Sequence, residues 1–372
     1  MQLSVIILNY NVRYFLEQCV LSVQKALEGI DGEIIVIDNA SSDDSCKMMK
    51  TKFPHIKLIE NKDNLGFPKG NNIGVAQAKG EYICILNPDT VVAEDTFSKI
   101  LNTKNWTLNT GIIGCKLIDG AGNFLTESKR SVPTPWVAFT KIFGLYKISN
   151  YFGEYYAQHL SENESGKVDI LVGAFMVMKR KLYLEIGGFD ENCFMYSDDI
   201  DLSYLVLKTG KSNYYFHETS VIHYKGESTV RDGTYMKRFR EAMQFFYKKH
   251  FKKSWFFDVM MQVGSFVFSL LKKNQQKNEV RTIDEYIVFS RENLELNLPQ
   301  KTTYLSDFNQ FVNLPQKNTE IIFDTTTFSF AEIITFMQLN MSKNLSFKNY
   351  ISSSNYLIGS NNSNDRGQII LL

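Results

Sequence analysis

Residues 33–45 read EIIVIDNASSDDS. The apolar run Ile34 to Ile37 stops at Asp38-Asn39-Ala40, and a Ser/Asp-rich stretch follows that suits the start of a helix. The same order recurs on either side. Leu3–Leu8 runs into Asn9-Tyr10-Asn11, Ile56–Ile59 into Asn61 to Asn64, and Tyr82–Leu86 into Asn87-Pro88-Asp89. Helix-compatible stretches, Arg13–Leu27, Asp43–Lys52 and Gly66–Ala78, lie between these runs. Continuously apolar strands separated by helices predict a parallel sheet covered on both faces. In an open α/β sheet, ligands bind outside the carboxyl ends of the strands, so the polar residues there mark the expected site.

The rest of the chain sets the frame. With 372 residues, 44% hydrophobic and 22% charged, it is an ordinary packed protein of two or three domains. The balance of 41 basic against 40 acidic side chains predicts no nucleic-acid partner. Cys19, Cys46, Cys84, Cys115 and Cys193 are scattered with no metal-ligand spacing, and read as reduced, mostly buried thiols. The N-terminus lacks the features of a signal peptide. The longest uncharged apolar stretch, Val259 to Leu271, is shorter than the roughly 20 residues a bilayer span needs. A cytoplasmic protein is therefore expected.

Three segments are expected: a catalytic domain over 1–245, a basic and apolar helical segment over 246–281, and a small α/β unit of unassigned role over 282–372. Residues 131–165, with Pro133, Pro135 and many aromatics, read as a substrate-side loop. Between Tyr235 and Lys277, bulky residues such as Trp255 and Phe256 stand between cations. Two readings stay open there: peripheral contact with the cytoplasmic face of a membrane, or a helix buried against the catalytic domain or in a homodimer.

Five motifs can carry chemistry. Asp38 can accept a hydrogen bond from a ribose or a base, or cap a helix. Asn64-Leu65-Gly66-Phe67 with Gly70-Asn71-Asn72 can bring backbone N–H groups to a phosphate, or simply turn the chain. Asp89, ending Asn87-Pro88-Asp89, can hold a divalent cation that bridges two phosphates. Asp198, Asp199 and Asp201 crowd four positions amid apolar neighbours, where like charges are costly unless solvated, metal-bound or partly protonated. His223 is followed by Lys225, Ser228 and Arg231, all able to contact phosphate. No G-x-G-x-x-G follows the first strand, which weighs against a dinucleotide enzyme.

VIILNYN, VIDNASSDDS, NLGF with GNN, LNPDT, LVGAFM, GGFDE, SDDIDL and HYKGEST stand in the order and context in which they occur in family 2 glycosyltransferases. The chain most resembles the bacterial rhamnosyltransferase-like branch, over roughly residues 1–245. The resemblance implies a GT-A fold, an α/β Rossmann-like and mostly parallel sheet with helices on both faces. It also implies a nucleoside-diphosphate-sugar donor, a divalent metal (Mn²⁺ or Mg²⁺), inversion at the anomeric carbon, and a glycan or lipid-linked glycan acceptor in surface polysaccharide synthesis. Carried over by position, Asn9 and Asp38 resemble nucleoside contacts, with Asn39, Asn64, Gly66, Asn71 and Asn87 nearby. Asp89 and His223 resemble metal ligands, Lys225 and Arg231 diphosphate contacts, and Asp199 the catalytic base beside Asp198. Two positions depart from the family pattern: Asn87 replaces the first metal acid, and Asp198 replaces the usual Glu. A sugar-nucleotide pyrophosphorylase and a non-catalytic nucleotide-binding partner of another transferase are the alternatives.

Overall fold

A computed structural model describes residues 1–134, 136–137, 140, 154–225, 233–251, 282–311, 318–341, 344–361 and 367–372, with the side chains of 233–237 and 239 left aside. The four expected strands are β1 (Leu3–Asn9), β2 (Gly32–Asp38), β3 (Lys57–Glu60) and β4 (Tyr82–Leu86), paired in parallel in the order β3-β2-β1-β4. Alternation along β1 sends Leu3, Val5 and Ile7 to one face and Ile6 and Leu8 to the other. The first set packs with α1 (Arg13–Ala26) and α2 (Ser45–Lys52), and the second with α3 (Gly66–Gln77). Burial on both sides is why the inner strands β1, β2 and β4 carry few polar residues before their ends, while the edge strand β3 exposes Lys57 and Glu60.

Five more strands complete the sheet: β5 (Thr90–Val91), β6 (Thr110–Ile118), β7 (Gly166–Val168), β8 (Phe175–Lys179) and β9 (Ser212–His223). The order continues β4-β8-β6-β9-β5, with β7 against β9. β8 runs antiparallel to both neighbours, and β6 runs parallel to β9. This half is mixed rather than parallel. α4 (Thr96–Leu101), α5 (Arg180–Glu185) and α6 (Asp198–Lys208) complete the layers. α7 (Gly233–His250) runs through residue 245 without a break and packs Met243, Phe246 and Tyr247 on Ile170 and Ile200. Trp255, Phe256 and the rest of 252–281 lie outside the described residues, as does most of 131–153. Among the described residues, no helix is long and apolar enough to cross a membrane.

Residues 282–372 form a second α/β unit, made of β10 (Glu285–Phe289), β11 (Lys301–Leu305), β12 (Thr319–Asp324), α8 (Phe330–Asn340), β13 (Leu345–Ile351), β14 (Tyr356–Gly359) and β15 (Gln368–Leu371). Its strand order is β11-β10-β12-β13-β14-β15, the first four parallel. One face of this sheet and α8 share a core with the first domain, where Phe289, Phe323, Ile333 and Phe347 meet Val12, Phe15, Val91, Ile118, Ile222 and Tyr224. Polar contacts rim that core. Glu94 accepts from the Phe330 and Ala331 N–H groups at the start of α8 (2.8 and 2.9 Å). Lys25 donates to the Thr325 carbonyl (2.8 Å), and the Tyr356 hydroxyl to that of Tyr14 (3.0 Å). The buried Glu17 takes Lys52 at 2.7 Å and the hydroxyl of Ser354. All five cysteines are free, and all but Cys46 are buried.

Candidate active site

The ends of β1, β2 and β4, the start of α6 and the end of β9 surround one cavity of about 290 Å³. Asn39, Asn64, Gly66, Asn87, Asp89, Asp198, Asp199, His223 and Lys225 line it, together with Tyr10, Phe67, Gly173 and Tyr196.

One wall is built on the short return after β4. Thr90 pairs with His223 across β5 and β9, and the Tyr224 N–H donates to the Asp89 carbonyl (3.0 Å). This register sets Asp89 Oδ1 3.4 Å from His223 Nε2, with Asn87 Nδ2 also 3.4 Å from that nitrogen. Asn87 Oδ1 and His223 Nδ1 are buried without a hydrogen-bond partner among the described residues. Buried polar atoms are rarely left so, and both belong to residues facing the cavity. Lys225, at a left-handed φ of 65°, pairs with Glu127. Burial pushes the Glu127 carboxyl up, but the Lys225 ammonium outweighs it and holds the group below its ordinary value.

The opposite wall is the first turn of α6, whose dipole favours acids. Its three carboxylates meet three environments. Asp199 Oδ2 accepts from Arg130 Nη2 (2.6 Å) and the Gly173 N–H (3.2 Å), and its Oδ1 from the Ile200 N–H (2.8 Å). Arg130 also donates to the Leu171 carbonyl (3.2 Å), so the guanidinium is itself fixed. Asp198, 7% exposed, is raised to about 7, first by burial and then by the Asp199 charge. Asp201 turns away and is held by His250 Nε2 (2.5 Å) and Lys249 Nζ (2.8 Å) of α7. Burial lowers His250 below its ordinary value, with Asp201 opposing that shift.

At the ends of β1 and β2, Asn9 Nδ2 donates to Asp38 Oδ1 (2.7 Å), and Asp38 Oδ2 accepts from the Ser41 N–H (2.8 Å). Both side chains are buried behind the strand ends and do not line the cavity. Asn39 and Asn64 order the adjoining loop. Asn61 donates to Asn39 Oδ1 (2.8 Å), Asn39 to the Gly66 carbonyl (3.1 Å), and the Gly66 N–H to Asn64 Oδ1 (3.0 Å). Asn71 does not reach the cavity, because its Nδ2 donates back to the Phe67 carbonyl within α3 (2.9 Å). Arg231 lies outside the described residues. Sequence reading missed Arg130, Glu127 and Tyr196. Arg130 stands 69 positions from its partner in a stretch without periodicity, so no local signal marks it. Tyr196, at a φ of 81°, carries its signal only in the backbone.

Comparison with known proteins fits this picture. The family model for glycosyl transferase family 2 matches residues 4–187. The N-acetylglucosaminyl-diphospho-decaprenol L-rhamnosyltransferase of Mycobacterium tuberculosis is 25% identical over 241 residues, covering 62% of this chain and 78% of the relative. The rhamnosyltransferase WbbL of Escherichia coli is 28% identical over 222 residues, 54% of this chain and 78% of the relative. Among solved structures, the mannosyltransferase PcManGT of Pyrobaculum calidifontis, in complex with GDP-Man and Mn²⁺, aligns over 74% of this chain and 76% of its own at 16% identity, with a TM-score of 0.48. Residues 4–187 therefore form a family 2 glycosyltransferase domain, built on the mixed α/β sheet described above.

Proposed function

We propose that the protein moves a sugar, rhamnose by the names of two of its relatives, from a nucleoside-diphosphate-sugar to a hydroxyl of a glycan or lipid-linked glycan, with inversion. The observation that carries this reading is the convergence of Asp89 and His223 on one wall and Asp198 and Asp199 on the other wall of a single cavity. That arrangement supports a reading in which the leaving diphosphate and the proton acceptor stand on separate sides of the transferred sugar. Family membership sets aside the pyrophosphorylase alternative.

The metal-side residues fit a divalent cation. The Asp89 carboxylate, the His223 imidazole and the unpartnered buried Asn87 Oδ1 make a mixed O, N, O donor set, to which diphosphate oxygens would add. Mn²⁺ or Mg²⁺ held there supplies charge neutralisation for the leaving diphosphate. Asn87 in place of an acid leaves one protein carboxylate for it, which makes His223 weigh more. Lys225, oriented by Glu127, adds a cation for the same phosphates.

Asp199 takes the acceptor hydroxyl's proton as that oxygen attacks the anomeric carbon opposite the departing diphosphate. Arg130 and the Gly173 N–H fix its direction. A second reading has Asp198 as the acceptor, favoured by its raised proton affinity. Turnover separates them: Asp199→Asn is expected to keep donor binding and lose 10²–10⁴-fold in kcat, a typical general-base contribution, while Asp198→Asn loses less. The reverse ranking transfers the role to Asp198. Release of nucleoside diphosphate from a donor panel that includes dTDP-rhamnose, with and without chelator, tests the whole reading. No acceptor-dependent release from any donor would leave only a binding protein. Action at the cytoplasmic face of a membrane, through 246–281, belongs to the same proposal. It calls for vesicle flotation of the parent and of a variant with Trp255 and Phe256 both changed to Asp.

A further inference from the structure

The second sheet reaches the metal-side wall through one residue. Tyr224 follows His223 directly, and its backbone N–H holds the Asp89 carbonyl at 3.0 Å. Its side chain points the other way, away from the cavity and into the core shared by the two units, where it is 2% exposed. The ring meets Phe15 edge-on at 5.1 Å, and its hydroxyl accepts from Asn349 Nδ2 of β13 at 3.3 Å, 125 positions along the chain. The second unit grips the surrounding backbone as well. Glu94, just beyond β5, caps α8. Past the end of β6, Gly120 lies so close to Ser360 that an added Cβ would sit 2.5 Å from the Ser360 carbonyl oxygen.

We propose that residues 282–372 serve the transferase as a buttress for the Asp89–His223 wall, with Tyr224 as a positioning residue and Asn349 as its partner in the second sheet. The strand ends at that wall are short: β5 has two residues, and its pairing with β9 is a two-residue ladder. So brief a ladder fixes side-chain direction poorly by itself, and the buried tyrosine and its bond to β13 supply the missing constraint. The role assigned to the unit is geometric, acting through the distance between two cation ligands rather than through contact with donor or acceptor.

This inference rests on the metal reading above, and the test keeps the two apart. Mn²⁺ alone, followed by electron paramagnetic resonance, is titrated into the full-length chain and into Tyr224→Phe, Asn349→Leu, Lys25→Met and Asp89→Asn. Tyr224→Phe keeps the ring packing and removes the hydroxyl, and Asn349→Leu removes the same bond from the other side, so either variant alone decides the matter. Each is expected to weaken Mn²⁺ binding about fivefold, the order of one hydrogen bond, and to leave kcat at saturating Mn²⁺ within about twofold. Lys25→Met, which cuts a contact between the units remote from β9, is expected to leave Mn²⁺ binding unchanged. If Asp89→Asn weakens binding and the Tyr224 and Asn349 variants do not, the buttress is refuted while the metal site stands. If Asp89→Asn itself binds Mn²⁺ as the parent does, the metal reading fails and takes the buttress with it.

Discussion

Asp198 and Asp199 are sequence neighbours that the fold treats in opposite ways. Asp199 pairs with Arg130, and Asp198, raised first by burial and then by the Asp199 charge, holds its proton to about 7. A carboxyl that binds a proton more tightly folded than unfolded stabilises the native state below its unfolded pKa, and that contribution is lost as pH rises through the folded value. Comparing chemical denaturation of the parent with that of Asp198→Asn between pH 4 and 8 is therefore expected to show the variant gaining relative stability as pH rises. A difference that does not vary with pH would mean that Asp198 carries no raised proton affinity. Arg130→Met strands the Asp199 charge in a site 12% exposed, and is expected to destabilise the chain by about 3 kcal/mol, the usual penalty for breaking a buried pair from one side. Unfolding free energies within 1 kcal/mol of the parent would show that solvent reaches Asp199 freely.

At the scale of elements, the first four strands and three helices were legible because β1, β2 and β4 are buried on both faces over most of their length, and because each of the four strands ends in a polar cluster, the edge strand β3 included. Helix bounds agree with the sequence reading to within two residues: α1 was expected over Arg13–Leu27 and runs Arg13–Ala26, and α3 over Gly66–Ala78 and runs Gly66–Gln77. Gly66 shows why α3 begins where it does. Its φ is 81°, and a Cβ there would stand 2.8 Å from the Phe194 carbonyl oxygen, so the turn that faces the cavity admits only glycine. The acids of Ser42 to Ser45 were legible as a helix start, but Asp43 also ties two helices together, accepting from the Arg13 N–H of α1 (3.0 Å) and from Ser45 of α2 (3.0 Å). Capping of α8 by Glu94 was not legible, since the acid lies 236 positions before the helix it serves. Glu94→Ala is expected to lower the unfolding free energy by about 1 kcal/mol, as loss of a helix cap does. The Ser329–Glu332 capping box remains in place in that variant, so urea midpoints should shift without loss of helix signal in circular dichroism.

For the whole molecule, one consequence is cooperativity. The two sheets share a core in which Phe289, Phe323 and Ile333 bury Val12, Phe15 and Ile222, so opening either unit exposes apolar surface of the other. Scanning calorimetry is expected to show one transition with matching calorimetric and van't Hoff enthalpies, and two resolved peaks would contradict a common core. The sequence by itself determined the parallel half of the first sheet and several of the strand-end residues that line the cavity. Both follow from local order, in which burial on two faces forces apolar runs and the first exposed position after each run is polar. Only the tertiary structure decided how those residues divide the work. Pairing Asp199 with Arg130, diverting Asp201 to His250, withdrawing Asn9 and Asp38 behind the cavity and backing Tyr224 with the second sheet all depend on groups distant in the chain. Electrostatics and packing act through space, and residue order does not encode those distances.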